Sequence, residues 1–259
     1  MTALKCGAIK MNDFRLLREN PPVGIMAING KTLTKPLPVF SWWFATEALQ
    51  RTQKLLDELE SATFFGHKVE IFSCIGLWFW SLESAVSTAF KLIAPEKAQS
   101  EIRRLEKKFE KLPSFLGSAE KPSHQQFNEL RNFCTFRNQL FHDLYYPTKQ
   151  TEYVHTNFSR VPAYANEIDL LESMRICTNS MNYYRDIISG VDLLPKYPRG
   201  DLLQIFESEI VVKFNETLRR KGFNPVSFRE FDKDICLTRS KEVYAPLIRF
   251  EAARFEKPS

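Results

Sequence analysis

The run Ile71–Ala94, IFSCIGLWFWSLESAVSTAFKLIA, decides the fold of this chain. Read over 66 to 93, its apolar residues Val69, Phe72, Ile75, Phe79, Leu82, Val86, Phe90 and Ile93 recur at steps of three and four, the period of a helix. Trp78 and Trp80 widen the stripe on either flank. A helix that is apolar on most of its faces must be surrounded, so this one is expected in the middle of the fold. Its 24 residues from Ile71 are also long enough to cross a bilayer. Glu83 and Lys91 interrupt it, and Ser73, Gly76, Ser81, Ser84, Ser87 and Thr88 dilute it. A core helix is the expectation, with no membrane partner.

Working outward, Ala48, Leu49, Leu55, Leu56 and Leu59 mark a preceding helix over about 42 to 60. After the central helix, Pro95 restarts the chain as a charged helix whose narrow stripe is Ile102, Leu105, Phe109 and Leu112, stopped by Pro113. Ser123 followed by Gln126 has the spacing of a capping box and opens a helix over about 124 to 145, ended by Pro147. The alternation at Tyr153 to Phe158 suggests a strand. Ile168, Leu171, Met174, Thr178, Met181, Arg185 and Ile188 mark another long helix to about 190, and a sixth fits Asp201 to Arg220. Between them lies the joint Leu194-Pro195-Lys196-Tyr197-Pro198.

The ends read differently. Pro21-Pro22, Pro36, Pro38 and the Asn29-Gly30 turn signal give an irregular or hairpin-like start. Near the other end, Ile235-Cys236-Leu237 and Val243-Tyr244 alternate as short strands do. The expected organisation is an N-terminal extension over 1 to 41, an antiparallel helical bundle over 42 to 192 and a C-terminal appendage over 193 to 259, mainly α throughout.

Composition excludes several classes. In 259 residues, 44% are hydrophobic, too many for a disordered chain, and the 9 glycines are scattered with neither G-x-G-x-x-G nor G-x-x-x-x-G-K-[ST]. Dinucleotide and P-loop enzymes are therefore poor fits. A net charge of +5 permits a polyanionic partner without requiring one. The five cysteines, at 6, 74, 134, 177 and 236, have no C-x-x-C pair and no zinc spacing with histidine, so no metal is expected. They read as buried free thiols of a reducing cytoplasm, in keeping with a start that lacks a signal-peptide run.

The helix over 124 to 145 carries the chemistry. Phe127, Leu130, Cys134, position 137, Phe141 and Leu144 form its expected apolar seam, and position 137 is an arginine. A charge set on a core seam must be paired or must face a polar cleft. A second stripe, Asn128, Arg131, Thr135, Asn138 and His142, is polar throughout at the same spacing, which puts Asn138 and His142 on one face. With 4 His and 17 Arg, an Arg five positions before a His is expected about 0.26 times by chance, and the added Asn lowers that to about 0.01.

Arg137-Asn138-Gln139-Leu140-Phe141-His142 resembles the Arg-Asn-x-x-x-His motif of the HEPN superfamily (higher eukaryotes and prokaryotes nucleotide-binding), and the earlier helix with Ser81-Leu82-Glu83-Ser84-Ala85 is similar to the early helix of many of its members. The resemblance implies a HEPN-like bundle, RNA as substrate, no cofactor, and a homodimeric, metal-independent ribonuclease with Arg137 and His142 catalytic. It also implies a cytoplasmic toxin, antiphage or stress effector, with an antitoxin protein as a further partner. A Tyr that follows the His by two positions in one branch stands three positions after it here, at Tyr145, so modification of this chain is not expected.

The chemistry has its own logic. Cleaving RNA without a metal needs a group to take the proton of the ribose 2′-OH, one to protonate the leaving 5′-oxygen, and a cation for the phosphorane charge. Imidazole changes protonation near working pH, and the planar guanidinium matches phosphate oxygens. Five helical residues turn through about 140°, so Arg137 and His142 diverge on a regular helix and meet only if the last turn distorts or a symmetric partner supplies the other half. Asn138 is expected to position the arginine and Glu83 to pair with it. Arg131, Arg103, Arg104 and Lys107 are candidates for RNA backbone contacts. The rival reading is a non-catalytic helical module that dimerises or binds a protein or nucleic-acid partner.

Overall fold

Lys68–Ile93 is one 26-residue helix, α2, and the bundle is built around it. The structure, a computed structural model, describes residues 23–28, 31–38, 40–59, 68–115, 122–142, 153, 156–187 and 202–228. Phe40–Glu58 (α1) precedes α2, and Glu96–Glu101 (α3), Leu105–Phe115 (α4), His124–His142 (α5), Glu167–Ile187 (α6), Leu202–Ile205 (α7) and Val211–Arg220 (α8) follow it. The mainly α character expected from the sequence is present. Helix α2 packs against α1, α4, α5 and α6. Ile71, Cys74, Ile75, Trp78, Leu82, Ala85, Val86, Ala89 and Phe90 are all buried, more than a single helical face can hold. Val69, counted on the stripe, is exposed in the first turn.

Polar atoms inside this core are tied down. The Trp78 indole N–H donates to Thr52 Oγ1 at 3.3 Å, and that hydroxyl donates to the Ala48 carbonyl at 2.7 Å. Ser81 Oγ donates to the Ser41 carbonyl at 2.8 Å, so two hydrogen-bonded points fix α2 on α1. The Cys177 thiol donates to the Trp78 carbonyl at 3.3 Å and ties α6 to the same turn. Each such bond spares a buried polar atom the cost of desolvation without a partner. Cys74, Cys134 and Cys177 are free and buried as expected, and burial pushes all three thiols up. Cys6 and Cys236 lie outside the described residues.

Ahead of the bundle, Val23–Ile28 (β1) and Lys31–Pro38 (β2) form an antiparallel hairpin with Ile28 opposite Lys31 and an irregularity between Gly24 and Met26. That register leaves a two-residue connection where the Asn29-Gly30 signal stands; both residues lie outside the described ones, as do the Pro-rich joint at 194–198 and the alternating pieces at 235–244.

Three expectations need correction. The charged helix after Pro95 is two helices, because Ile102 is extended (φ −99°, ψ 93°) and the helix restarts at Leu105. Helix α3 has no buried residue, whereas α4 buries Leu105, Phe109 and Leu112, so the break lets the apolar turns meet α2 without carrying the polar segment along. Pro113 does not stop α4. It sits buried in the last turn, which continues to Phe115.

The second correction concerns Tyr153 to Phe158: the described residues of this segment are not in a strand. Tyr153 and Phe158 alternate because both rings pack on α5, with Phe158 stacked on Phe136 at 4.3 Å and Tyr153 edge-on to it at 5.7 Å. The third is the seam of α5. Glu129, Leu130, Phe133, Cys134, Phe136 and Leu140 are its buried residues, while Phe141 is exposed and Phe127 and Arg137 are half-buried. The buried row is thus turned toward Phe133, Phe136 and Leu140, leaving position 137 at its edge.

Helix starts match their sequence signals. The Ser123 N–H donates to Gln126 Oε1 at 2.9 Å and the Gln126 N–H donates to Ser123 Oγ at 3.1 Å, a reciprocal capping box. Ser123→Ala is expected to cost about 1 kcal/mol, read as a fall of roughly 2–4 °C in Tm. An unchanged Tm would show that α5 does not depend on its cap.

At the start of α6, Asn166 Oδ1 accepts the Ile168 N–H at 2.8 Å and Asp169 Oδ2 accepts the Asn166 N–H at 2.9 Å. Asp169 also accepts the Ser159 N–H and hydroxyl, at 2.6 and 2.7 Å. Burial pushes the Asp169 and Glu167 carboxyls up to about 7, the donors on Asp169 acting against the shift. Both groups keep their protons in the folded chain to higher pH than in the unfolded one. Between about pH 4 and 7 the folded state then binds more protons, and their contribution to stability is lost as pH rises through that window. Wild type is therefore expected to lose more stability between pH 5 and 8 than Glu167→Gln, measured as the shift in urea midpoint. Parallel midpoints for the two proteins would remove Glu167 as a cause.

The C-terminal helix runs as foreseen over 202 to 220, but not uniformly. Phe206–Ile210 is a π-helical turn between α7 and α8. Phe206, Ile210, Phe214 and Leu218 are all buried at steps of four. On a regular helix such steps overshoot a full turn by about 40° each. The wider turn takes up part of that drift and keeps the four residues on one side.

Candidate functional site

Arg137 projects from the edge of the buried row of α5 onto α2. Its guanidinium carbon lies 4.7 Å from the centre of the Phe79 ring and 5.6 Å from that of Phe141, and Nη1 donates to Asn138 Oδ1 at 3.1 Å. Nε is buried without a hydrogen-bond partner. Asn138 thus contacts the guanidinium of its neighbour within the motif. Glu83 does not pair with it: no ion pair joins Arg137 to any carboxylate among the described residues, and Glu83 is exposed. The guanidinium stops on Phe79, one helical turn before Glu83 on the same side of α2, where the ring face offers a cation–π contact worth about 0.5–2 kcal/mol.

The surroundings of Arg137 are aromatic. Phe141 stacks on Trp80 at 6.4 Å and Trp80 meets Phe44 at 6.0 Å. Phe40, Trp43, Trp80 and Phe141 are each between 39 and 48% exposed, a concentration of large rings in solvent on α1, α2 and α5. Gly76 permits the close approach of α5 here, since a Cβ at that position would lie 3.1 Å from Phe141 Cζ. Trp78, by contrast, is a core residue with its indole fully covered.

His142 is the exposed last residue of α5, and the helix is regular up to it. No hydrogen bond joins it to Arg137, so within one chain the two are held apart as the helical angle requires. The distortion that would bring them together does not occur in the described part of the helix. Thr135, Asn128, Arg131, Asn138 and His142 all lie on the half-buried or exposed side, as their polar stripe foretold. Arg103, Arg104 and Arg131 are exposed, whereas Lys107 is paired with Glu110 at 2.9 Å and lies over the Phe127 ring at 5.1 Å. His124 Nδ1 accepts from Asn128 Nδ2 at 3.1 Å, a contact within the first turn. His67 and His155 lie outside the described residues. Among the described residues no three His, Cys, Asp or Glu side chains are grouped to hold a metal.

Sequence reasoning missed a buried ionic cluster nearer the start of α5. Arg175 donates through Nε and Nη2 to Glu172, at 3.1 and 2.6 Å, and through Nη1 to Glu129 at 3.2 Å. Burial acts against the Arg175 charge, and the two carboxylates more than offset it, holding its pKa above the usual arginine range. The available signal was Asp169, Glu172 and Arg175 at steps of three, continued by Asn179 and Asn182 as a polar stripe on a long helix. Beside the cluster opens a cleft of about 1190 Å³ lined from α5, α6, the π turn, α8 and residues 226 to 228. Comparison with family models, curated proteins and solved structures gives no match to this chain.

Proposed function

We propose that this chain is a metal-independent endoribonuclease of HEPN type, working as a homodimer whose two-fold axis brings two Arg137/His142 sets into one cleft. The observation that carries the reading is the half-buried guanidinium of Arg137, gripped by two aromatic rings and Asn138 and paired with no carboxylate among the described residues. A structural arginine at the edge of a core is ordinarily neutralised by an acid; this one keeps its charge for an external anion. In the proposed reaction the ribose 2′-oxygen attacks phosphorus and the bond to the 5′-oxygen breaks. One His142 takes the 2′-OH proton and its symmetry mate protonates the 5′-oxygen, leaving a 2′,3′-cyclic phosphate and a 5′-hydroxyl. Arg137 offsets the charge that develops on the phosphorane oxygens. Exposed Arg131 on α5, with exposed Arg103 and Arg104 in the break between α3 and α4, would contact the RNA backbone.

The test is incubation of purified protein with total RNA in EDTA. Wild type is expected to yield cyclic-phosphate ends and His142→Ala to lose at least about a hundredfold in rate. Intact RNA with wild type, while the dimer persists in sedimentation, sinks the enzyme reading. A second reading has its own observation in the exposed rings of Phe40, Trp43, Trp80 and Phe141, which suit a protein-binding or dimerisation surface that performs no chemistry. Trp43→Ser with Trp80→Ser is expected to disrupt the dimer under both readings, and RNA cleavage separates them.

A further inference from the structure

We propose that the cleft between α5, α6 and the α7–α8 arm binds an aliphatic polyamine. Its floor is the Arg175 cluster, in which two carboxylates share one guanidinium, leaving an excess of one negative charge. All three side chains are nearly removed from solvent, with exposures of 11% for Arg175, 6% for Glu129 and 0% for Glu172. A buried carboxylate without its own cation is costly, and a second cation beside Glu129 would relieve the cost.

The cleft also lacks a place for an anion. Among the described residues Arg175 is its one cationic lining residue, and Nε, Nη1 and Nη2 all donate to carboxylates already. What it offers instead is an acceptor. Asn182 lines it, is 9% exposed, and its Oδ1 has no hydrogen-bond partner. An ammonium group has three N–H donors and no acceptor, the complement of that oxygen. Glu207 adds a carboxylate at the exposed rim, and Leu203, Phe206 and Val211 supply apolar wall for methylene stems. One acidic group at the floor and another at the rim fit a chain bearing more than one ammonium.

This site lies about two turns before Arg137 along α5 and its lining shares no residue with the Arg137 site, so it stands whether or not the chain cleaves RNA. Calorimetric titration of the full chain with spermidine at physiological salt tests it. One-site binding is expected, weakened about tenfold in Asn182→Leu, which keeps the volume and removes the acceptor, and several-fold in Glu207→Gln. Should Asn182→Leu fold poorly, the exposed Glu207→Gln still decides. Absence of binding at millimolar spermidine overturns the proposal, as does affinity unchanged in Glu207→Gln, or tighter binding of adenosine monophosphate than of spermidine. Tighter binding of Nα-acetyl-lysine amide would overturn it too, by showing the occupant to be a protein side chain.

Discussion

Arg137→Ala is expected to lower the rate of RNA cleavage by at least 10²–10³-fold, roughly the loss when a preorganised charge is withdrawn from a transition state. The Tm should fall by only roughly 4–8 °C, because the guanidinium sits at the edge of the core and its two cation–π contacts contribute about 1 kcal/mol each. Arg137→Lys is the sharper variant. It keeps the charge but not the planar fork, and is expected to retain only a small part of the activity. Mixing wild-type with His142→Ala subunits tests the composite geometry. A mixed dimer carries a single intact histidine, and since the proposed step needs one histidine as base and its symmetry mate as acid, it should be nearly as slow as the His142→Ala homodimer. Mixed dimers, demonstrated by mass, that keep about half the wild-type rate would confine the chemistry to one chain and remove the reason for a symmetric cleft.

The second large effect falls on stability. Arg175→Leu leaves Glu129 and Glu172 facing each other in a place closed to solvent, and is expected to cost about 3–5 kcal/mol, a fall of roughly 10 °C or more in Tm. The triple variant Arg175→Met, Glu129→Leu and Glu172→Leu should recover most of that loss, since the penalty comes from the stranded charges and not from a missing contact. Thermal melts at constant pH compare the two. A triple variant as unstable as the single one would mean the cluster also holds α5 to α6 by geometry that apolar side chains do not reproduce.

The helices were legible because burial and the 3.6-residue period are both written in single residues. The central helix and the capping box at Ser123 each rest on neighbours in sequence. What was not legible depended on partners distant in sequence. Glu83 looked like the mate of Arg137 because it interrupts the apolar run Ile71–Ala94, yet the ring of Phe79 lay closer. Tyr153 and Phe158 alternated like a strand because two rings had to reach α5 from an irregular chain. The Arg175 cluster joins residues 46 positions apart, and nothing in either local pattern announced the other. Of the candidate site, Arg137, Asn138 and the polar face with His142 were placed by spacing alone, while the aromatic grip on the guanidinium emerged only from the packing of α5 on α2.

The wide turn at Phe206–Ile210 bears on how this chain can change in length. A π turn is an α-helix that has taken up one extra residue within a single widened turn, so one deletion there would leave a regular helix whose two ends keep nearly their present faces. A deletion early in α8 has no such slack: everything after it would be swung by about 100°, carrying Phe214 and Leu218 off the core and bringing Asn215 and Arg219 into their places. The arm that walls the cleft can thus lose a residue at one turn and nowhere else without turning its apolar side to water.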